Sequence, residues 1–180
     1  MSILETLYYR LASDPAQLPL IAGVVSSSYF YFGNLGGAYF GVVPAIQDLE
    51  LPVDTKVALW KWSYDRAMIH MGRSMMTSVV SFSTAALLTS SPSVRNLLLG
   101  AAAMSFAVGP WTLIRMLPIN NELADMHKGQ ALQANKTTEI TALDKRALNC
   151  LDEWRALHRV RVVFGLGAWI TGLTALVVGV

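Results

Sequence analysis

Trp154, His158 and Arg161 stand at i, i+4 and i+7, a spacing that puts all three on one face of a helix. An imidazole changes charge near neutral pH and can take up a proton there. A guanidinium beside it can hold a negative charge. The same residue types recur in two other places. His70 is followed three positions later by Arg73, where an apolar run begins. The stretch RMLPINNEL, 115–123, closes another apolar run with Arg115, Pro118, Asn120 and Asn121. Proton transfer next to groups that hold an anion is the chemistry this set can do. Each member also has a plain structural reading. His158 and Arg161 can reach from an apolar helix to an interface, one of the two asparagines can cap a helix N-terminus, and His127 sits between Asp125 and Lys128 as a surface residue would.

The elements that must position these residues are set by apolar runs. The 180-residue chain is 53% hydrophobic and only 14% charged, where a soluble domain carries about 25% charge. Four blocks, 18–43, 74–89, 96–114 and 162–180, contain no charged residue. The hydrocarbon core of a bilayer takes about 20 helical residues, so each block, extended slightly, is long enough to cross it. The reading is an all-α, single-domain integral membrane protein: four transmembrane helices at about 18–43, 55–89, 94–117 and 139–180, packed as a bundle. Helices 2 and 4 extend beyond the membrane, and a polar helical loop, 118–156, lies between helices 3 and 4.

Punctuation within the chain supports those bounds. Pro19 and Pro44 frame helix 1, and Asp54 or Thr55 after Pro52 begins helix 2. Gly33, Gly37 and Gly41 recur every fourth residue and predict a ridge for close helix packing, within the chain or between copies in a homo-oligomer. Asn34 is the strongly polar side chain deep in helix 1, so it faces the bundle interior. Trp60, Trp62 and Tyr64 suit an interfacial belt. SSPS, 90–93, turns the chain into helix 3, and Gly109-Pro110 kinks it before Arg115. Asn120 and Asn121 after Pro118 read as a stop and restart. His70 and Arg73, in a membrane segment, point inward, pair or line a cavity, with Asp65 one candidate partner.

Following the chain back and forth brings His70, Arg73, Arg115, Asn120, Asn121, His127, Trp154, His158 and Arg161 to one face of the membrane. All but Arg10 and Arg95 of the 14 lysines and arginines fall on that face too, which makes it cytosolic and both termini lumenal or extracellular. The sequon at Asn135 then lies on the cytosolic loop and stays unglycosylated.

Several classes of function are excluded or left without support. Residues 1–17 lack the basic n-region of a cleavable signal. Cys150, the single cysteine, rules out an internal disulfide and a cysteine-rich metal site. A net charge of +2 without a basic tract gives nucleic acid no footing. There is no phosphate-binding or dinucleotide motif. Copper or iron held by His70, His127 and His158 stays open as an alternative, although no two of them show a metal-ligand spacing on one helix. A non-enzymatic four-span carrier or scaffold stays open as well.

Three longer motifs carry a family resemblance. GPWTLIRMLPINNEL, 109–123, resembles a helix exit built from an aromatic-Thr pair, Met-x-Pro-x-Asn and a following leucine. WRALHRVRVVFGLGAW, 154–169, resembles a Trp-x-x-x-His-x-x-Arg lead into the last helix, and GNLGGAYFGVVPAI, 33–46, a small-residue first helix ending in Pro-Ala. With WKWSYDRA before helix 2, the likeness to anthrone oxygenase-like membrane proteins covers nearly the whole chain. The resemblance implies oxidation of an anthrone, an apolar polycyclic phenol, to an anthraquinone with dioxygen as co-substrate and no cofactor, in the endoplasmic reticulum or another endomembrane. The chemistry of such a substrate asks for a base and for groups that stabilise an oxyanion; His158 is read as the base, with His70 the alternative, and Arg161, Arg115 and Asn121 as the groups that stabilise the oxyanion. Trp111 and Trp154 would stack on the substrate rings, with Asn120, Arg73 and Asn34 as further contacts.

Overall fold

The computed structural model describes residues 14–131 and 142–179, and every regular element among them is helical. The helices are α1 (Gln17–Tyr39), α2 (Val42–Asp48), α3 (Val53–Leu88), α4 (Pro92–Trp111), α5 (Leu117–Ala131) and α6 (Ala142–Val178). A π-helical stretch, Thr112–Met116, carries α4 into α5 without a break. The all-α class expected from the sequence is therefore found. The junction expected around 135–137, with the Asn135 sequon, lies outside the described residues.

Two helical stretches among the described residues, Pro92–Gly129 and Ala142–Val178, are long and apolar enough to cross a membrane. α1 falls short of that apolarity because Ser26, Ser27, Ser28, Tyr29 and Tyr31 interrupt its aliphatic residues. α3 falls short because its first half carries Lys61, Asp65, Arg66, His70 and Arg73.

Two element bounds and one packing expectation differ from the sequence reading. Helix 1 ends at Tyr39 rather than at 43, and Gly41 then caps the short α2. Pro44 sits in the first turn of α2, where its missing N–H has no intrahelical partner to lose. The helix leaving α4 does not stop at 117 but continues to Ala131. Finally, Gly33, Gly37 and Gly41 do not form one ridge along α1. Gly41 is outside α1, a Cβ on Gly37 would meet nothing within 4 Å among the described residues, and only Gly33 is pressed by a side chain, that of Met71.

The chain divides into two compact units. One comprises Met1–Gly33, Met71–Val108 and Val163–Val180. Its core joins Leu20 and Val24 of α1, Phe82, Ala85 and Ala86 of α3, Leu98, Ala101 and Ala102 of α4 and Ala175 of α6. Phe82 is fully buried against the backbones of Gly23 and Gly172, where any Cβ would overlap its ring. Small residues admit an aromatic ring between helices that would otherwise be held apart. Arg95 donates from Nε and Nη2 to the carbonyls of Ala86 and Thr89 at 3.2 and 2.8 Å, satisfying acceptors at the end of α3. The other unit, Asn34–His70 and Gly109–Val162, has its own core around Val57, Trp60, Met116, Leu123, Ala147 and Leu151. It holds nearly all the residues singled out for chemistry.

Candidate active site

The inner stripe of α3 in the second unit is Val57, Trp60 and Tyr64, at the i, i+3/i+4 spacing of one helix face. Trp60 is 1% exposed and stacks on Tyr64, ring centroids 5.1 Å apart with planes 13° from parallel. α6 repeats the pattern: Trp154 stacks on His158 at 4.9 Å, also 13° from parallel. The two pairs meet through an edge-to-face contact of Trp60 on Trp154 at 6.3 Å. Four rings on two helices thus make one ladder.

Polar groups attach at both ends of it. His158 is 7% exposed, and its Nε2 lies 3.4 Å from the backbone oxygen of Asn34. A carbonyl can only accept, so this hydrogen bond places the proton on Nε2 and the lone pair of the neutral imidazole on Nδ1. That Nδ1 is buried and has no hydrogen-bond partner among the described residues. Asn34, expected to face inward, is 4% exposed. The carbonyl is reachable because Gly37 and Ala38, which flank it one turn on, have no bulky side chains. At the other end Asn120, 4% exposed, donates from Nδ2 to the Tyr64 hydroxyl at 3.5 Å. Arg161, half-buried, is close enough to the Tyr64 phenol for the two to interact electrostatically.

The contacts also fix a direction. Trp60 meets Trp154, and Arg161 lies within electrostatic range of Tyr64, so α3 and α6 run parallel through this unit. Tyr64, His158 and Arg161 all lie C-terminal of the paired tryptophans. Trp111 of α4 donates from Nε1 to the Leu157 carbonyl at 3.2 Å, bringing the π-helical stretch against α6. The π turn itself closes through the Leu117 N–H on the Thr112 carbonyl. It lies between Pro110 and Pro118, and its wider turn gives the Pro118 ring room where an α-turn would press it on the carbonyl four residues back.

Four of the expected site residues do not join this cluster. His70 and Arg73 are exposed, so of the orientations expected of them the inward one is not found. Counted from Trp60 at roughly 100° per residue, both fall off the stripe that Val57, Trp60 and Tyr64 define. Arg73 moreover belongs to the other unit. Asp65, the suggested partner of His70, pairs instead with Lys61 at 2.6 Å. Arg115 is exposed, its guanidinium 5.7 Å from the Trp111 ring centroid. Asn121 is exposed because adjacent helical residues point about 100° apart, so Asn120 and Asn121 cannot both face inward. Neither asparagine is an N-cap, since the helix runs through both. No three His, Cys, Asp or Glu side chains among the described residues are grouped to hold a metal ion, so His70, His127 and His158 do not form a ligand set.

The sequence reading puts Trp60 and Tyr64 in an interfacial belt, whereas the structure stacks them in the ladder. Their signal was in the sequence: Trp-x-x-x-Tyr at 60–64 has the spacing of Trp-x-x-x-His at 154–158. Residues 60–171, which contain both motifs and the whole ladder, match the family model of anthrone oxygenase. The chain belongs to the anthrone oxygenase family. No curated protein and no solved structure matches it. Family membership makes this an oxygenase-type enzyme, and the segment matched begins at Trp60 and takes in every ring of the ladder.

Proposed function

We propose that this anthrone oxygenase family member oxidises an anthrone-type polycyclic phenol to the anthraquinone by deprotonation at His158 Nδ1 followed by reaction of the carbanion with dioxygen. The observation that carries the reading is the state of the His158 ring. Its Nε2–H is engaged by the Asn34 carbonyl, which leaves a buried lone pair on Nδ1 with no partner among the described residues. Buried polar atoms nearly always have partners. Here Trp60 Nε1, Trp154 Nε1 and Asn120 Oδ1 lack one as well, all in the same cluster. A concentration of such atoms around one imidazole fits a site that receives a polar group of a ligand.

The substrate's own chemistry sets what the protein must supply. The methylene of an anthrone is flanked by two aryl rings and conjugated to the ketone across the central ring, so loss of its proton spreads charge onto the carbonyl oxygen. That anion transfers an electron to triplet oxygen, and recombination gives a hydroperoxide at the former methylene. Loss of water leaves the second carbonyl, so one oxygen atom enters the quinone and the other leaves as water. A positioned base and groups that stabilise the oxyanion are enough for the protein to contribute. Arg161 and Asn120 are assigned to the oxyanion end, Trp154 to holding the imidazole, and Trp111 to the ring system, with Arg115 outside it. Dioxygen is the co-substrate, and no metal is assigned a role.

The reading includes a membrane. Flat apolar phenols partition into lipid and can reach a site between helices from the side. Four spans, with 118–156 cytosolic and the termini lumenal in an endomembrane, follow from the charge-free blocks and the one-sided distribution of Lys and Arg. His158→Ala and His158→Gln in isolated membranes, given an anthrone and oxygen, test the base. A general base contributes about 10²- to 10⁴-fold, and quinone formation is expected to fall by that much in both variants. Turnover unchanged at every pH would remove His158 from the mechanism.

A further inference from the structure

We infer that Ser27, Ser78 and Ser105, in the unit built on the Phe82 core, bind one internal water molecule that joins α1, α3 and α4. This binding site belongs to the unit without the ring ladder and does not depend on the oxygenase reading above.

Side-chain size along α3 creates the space. Phe82 fills the middle of one layer, its ring pressed on Gly23 and Gly172. One turn earlier on the same face stands Ser78, too short to fill the next layer as Phe82 fills its own. A small cavity remains there. Three helices each put a serine into its wall, Ser27 from α1, Ser78 from α3 and Ser105 from α4, while α6 contributes only Gly165 and Ala168. Phe30 closes one side by lying on Gly165, where a Cβ would come within 2.9 Å of its ring. The centre of a water molecule has about 10 Å³ to occupy, which is room for one.

The hydroxyls supply the partners a buried water needs. Ser27 donates to the Val24 carbonyl at 3.0 Å, and Ser78 to the Ser74 carbonyl at 2.8 Å. A carbonyl only accepts, so both directions are forced and both serine oxygens keep lone pairs to offer. Ser105 Oγ is buried and has no hydrogen-bond partner among the described residues, which few buried hydroxyls tolerate. A water that sends its two hydrogens to Ser27 and Ser78 and accepts from Ser105 makes the three bonds usual for an internal water. No existing hydrogen bond is broken in the process. Dioxygen is the rival occupant, but it has no hydrogen to give and accepts hydrogen bonds weakly, so Ser105 would stay without a good partner. Held by three serines, the water links α1, α3 and α4 across an apolar core, as polar groups do between helices in lipid.

A crystal structure of the full chain, at a resolution that shows ordered solvent, tests the site directly. One density peak is expected in the cavity, about 2.5–3.0 Å from each of the three serine oxygens. The same crystals under xenon pressure are expected to take up none there, because xenon enters dry apolar cavities. An absent peak, or xenon in the cavity of the wild-type protein, overturns the proposal. Combining Ser27→Ala, Ser78→Ala and Ser105→Ala removes all three partners, and that cavity is expected to be dry and to admit xenon. A water peak that persists in it overturns the role of the serines. Should the triple variant fail to accumulate, Ser105→Ala alone gives a second reading in detergent. Loss of a hydroxyl that donates to a water lowers the thermal midpoint by about 2–4 °C. Loss of one with no partner leaves the midpoint unchanged or raises it, and that result overturns the proposal too.

Discussion

At the scale of single residues, what matters most is which nitrogen of His158 is left with a lone pair. The Asn34 carbonyl decides that by accepting from Nε2, and the Trp154 face decides where Nδ1 points. Stacking of this kind is worth about 0.5–1.5 kcal/mol beyond the area it buries, so its loss loosens the imidazole without unfolding the helix. Trp154→Ala is expected to lower kcat by about tenfold, while Trp154→Phe, which keeps a ring, stays within about threefold of wild type. Equal losses in the two variants, measured as oxygen uptake at saturating anthrone, would assign Trp154 to substrate stacking rather than to holding His158. The sequence made part of this legible. Trp154, His158 and Arg161 share a face because helical spacing requires it, and adjacent Asn120 and Asn121 could not share one. Which asparagine is buried, and that Asn34 presents its backbone carbonyl to His158, depended on tertiary contacts that no spacing encodes.

At the scale of elements, the π-helical stretch separates the outcome from the sequence reading most clearly. Pro110 and Pro118 are visible in the sequence, and together with two asparagines they read as a kink followed by a stop and restart. In place of the stop, the chain runs through both prolines in continuous helix, with a π turn at Thr112–Met116 immediately ahead of Pro118. Propensity rules end the helix at Pro118 and do not foresee a wide turn that carries it past the ring. The consequence is positional: Trp111 reaches Leu157 on one side of the wide turn and Asn120 reaches Tyr64 on the other. A π turn holds one residue more than the α-turn it replaces. Deleting the exposed Leu113 is therefore expected to leave the residues before and after it on their present faces and to be tolerated. Deleting the exposed Ala103 from regular helix would rotate everything beyond it by about 100° and abolish accumulation. Protein yield and thermal midpoint in detergent check this pair, and equal damage from both deletions would contradict it. The Trp60–Tyr64 rung was misread for a different reason. Aromatic residues are enriched both at membrane interfaces and in buried stacks, and composition alone does not choose between them.

At the scale of the whole molecule, the all-helical class and the family were readable because both depend on long patterns: charge-free runs, a motif before α3's midpoint, one around the π turn and one along α6. Two helical stretches carry enough apolarity by themselves to cross a membrane. α1 and α3 dilute theirs with serines, tyrosines and charges, and their spans belong to the proposal. The central claim is that this chain alone, with dioxygen, carries an anthrone to its quinone by proton abstraction. The direct measurement uses the purified protein in detergent, stripped with a strong chelator, and given 1,8-dihydroxy-9-anthrone under ¹⁸O2. Catalysed formation of quinone bearing one ¹⁸O atom, with the second in water and with activity retained after stripping, is the expected result. Formation no faster than without protein, or only after copper or iron is restored, would contradict it.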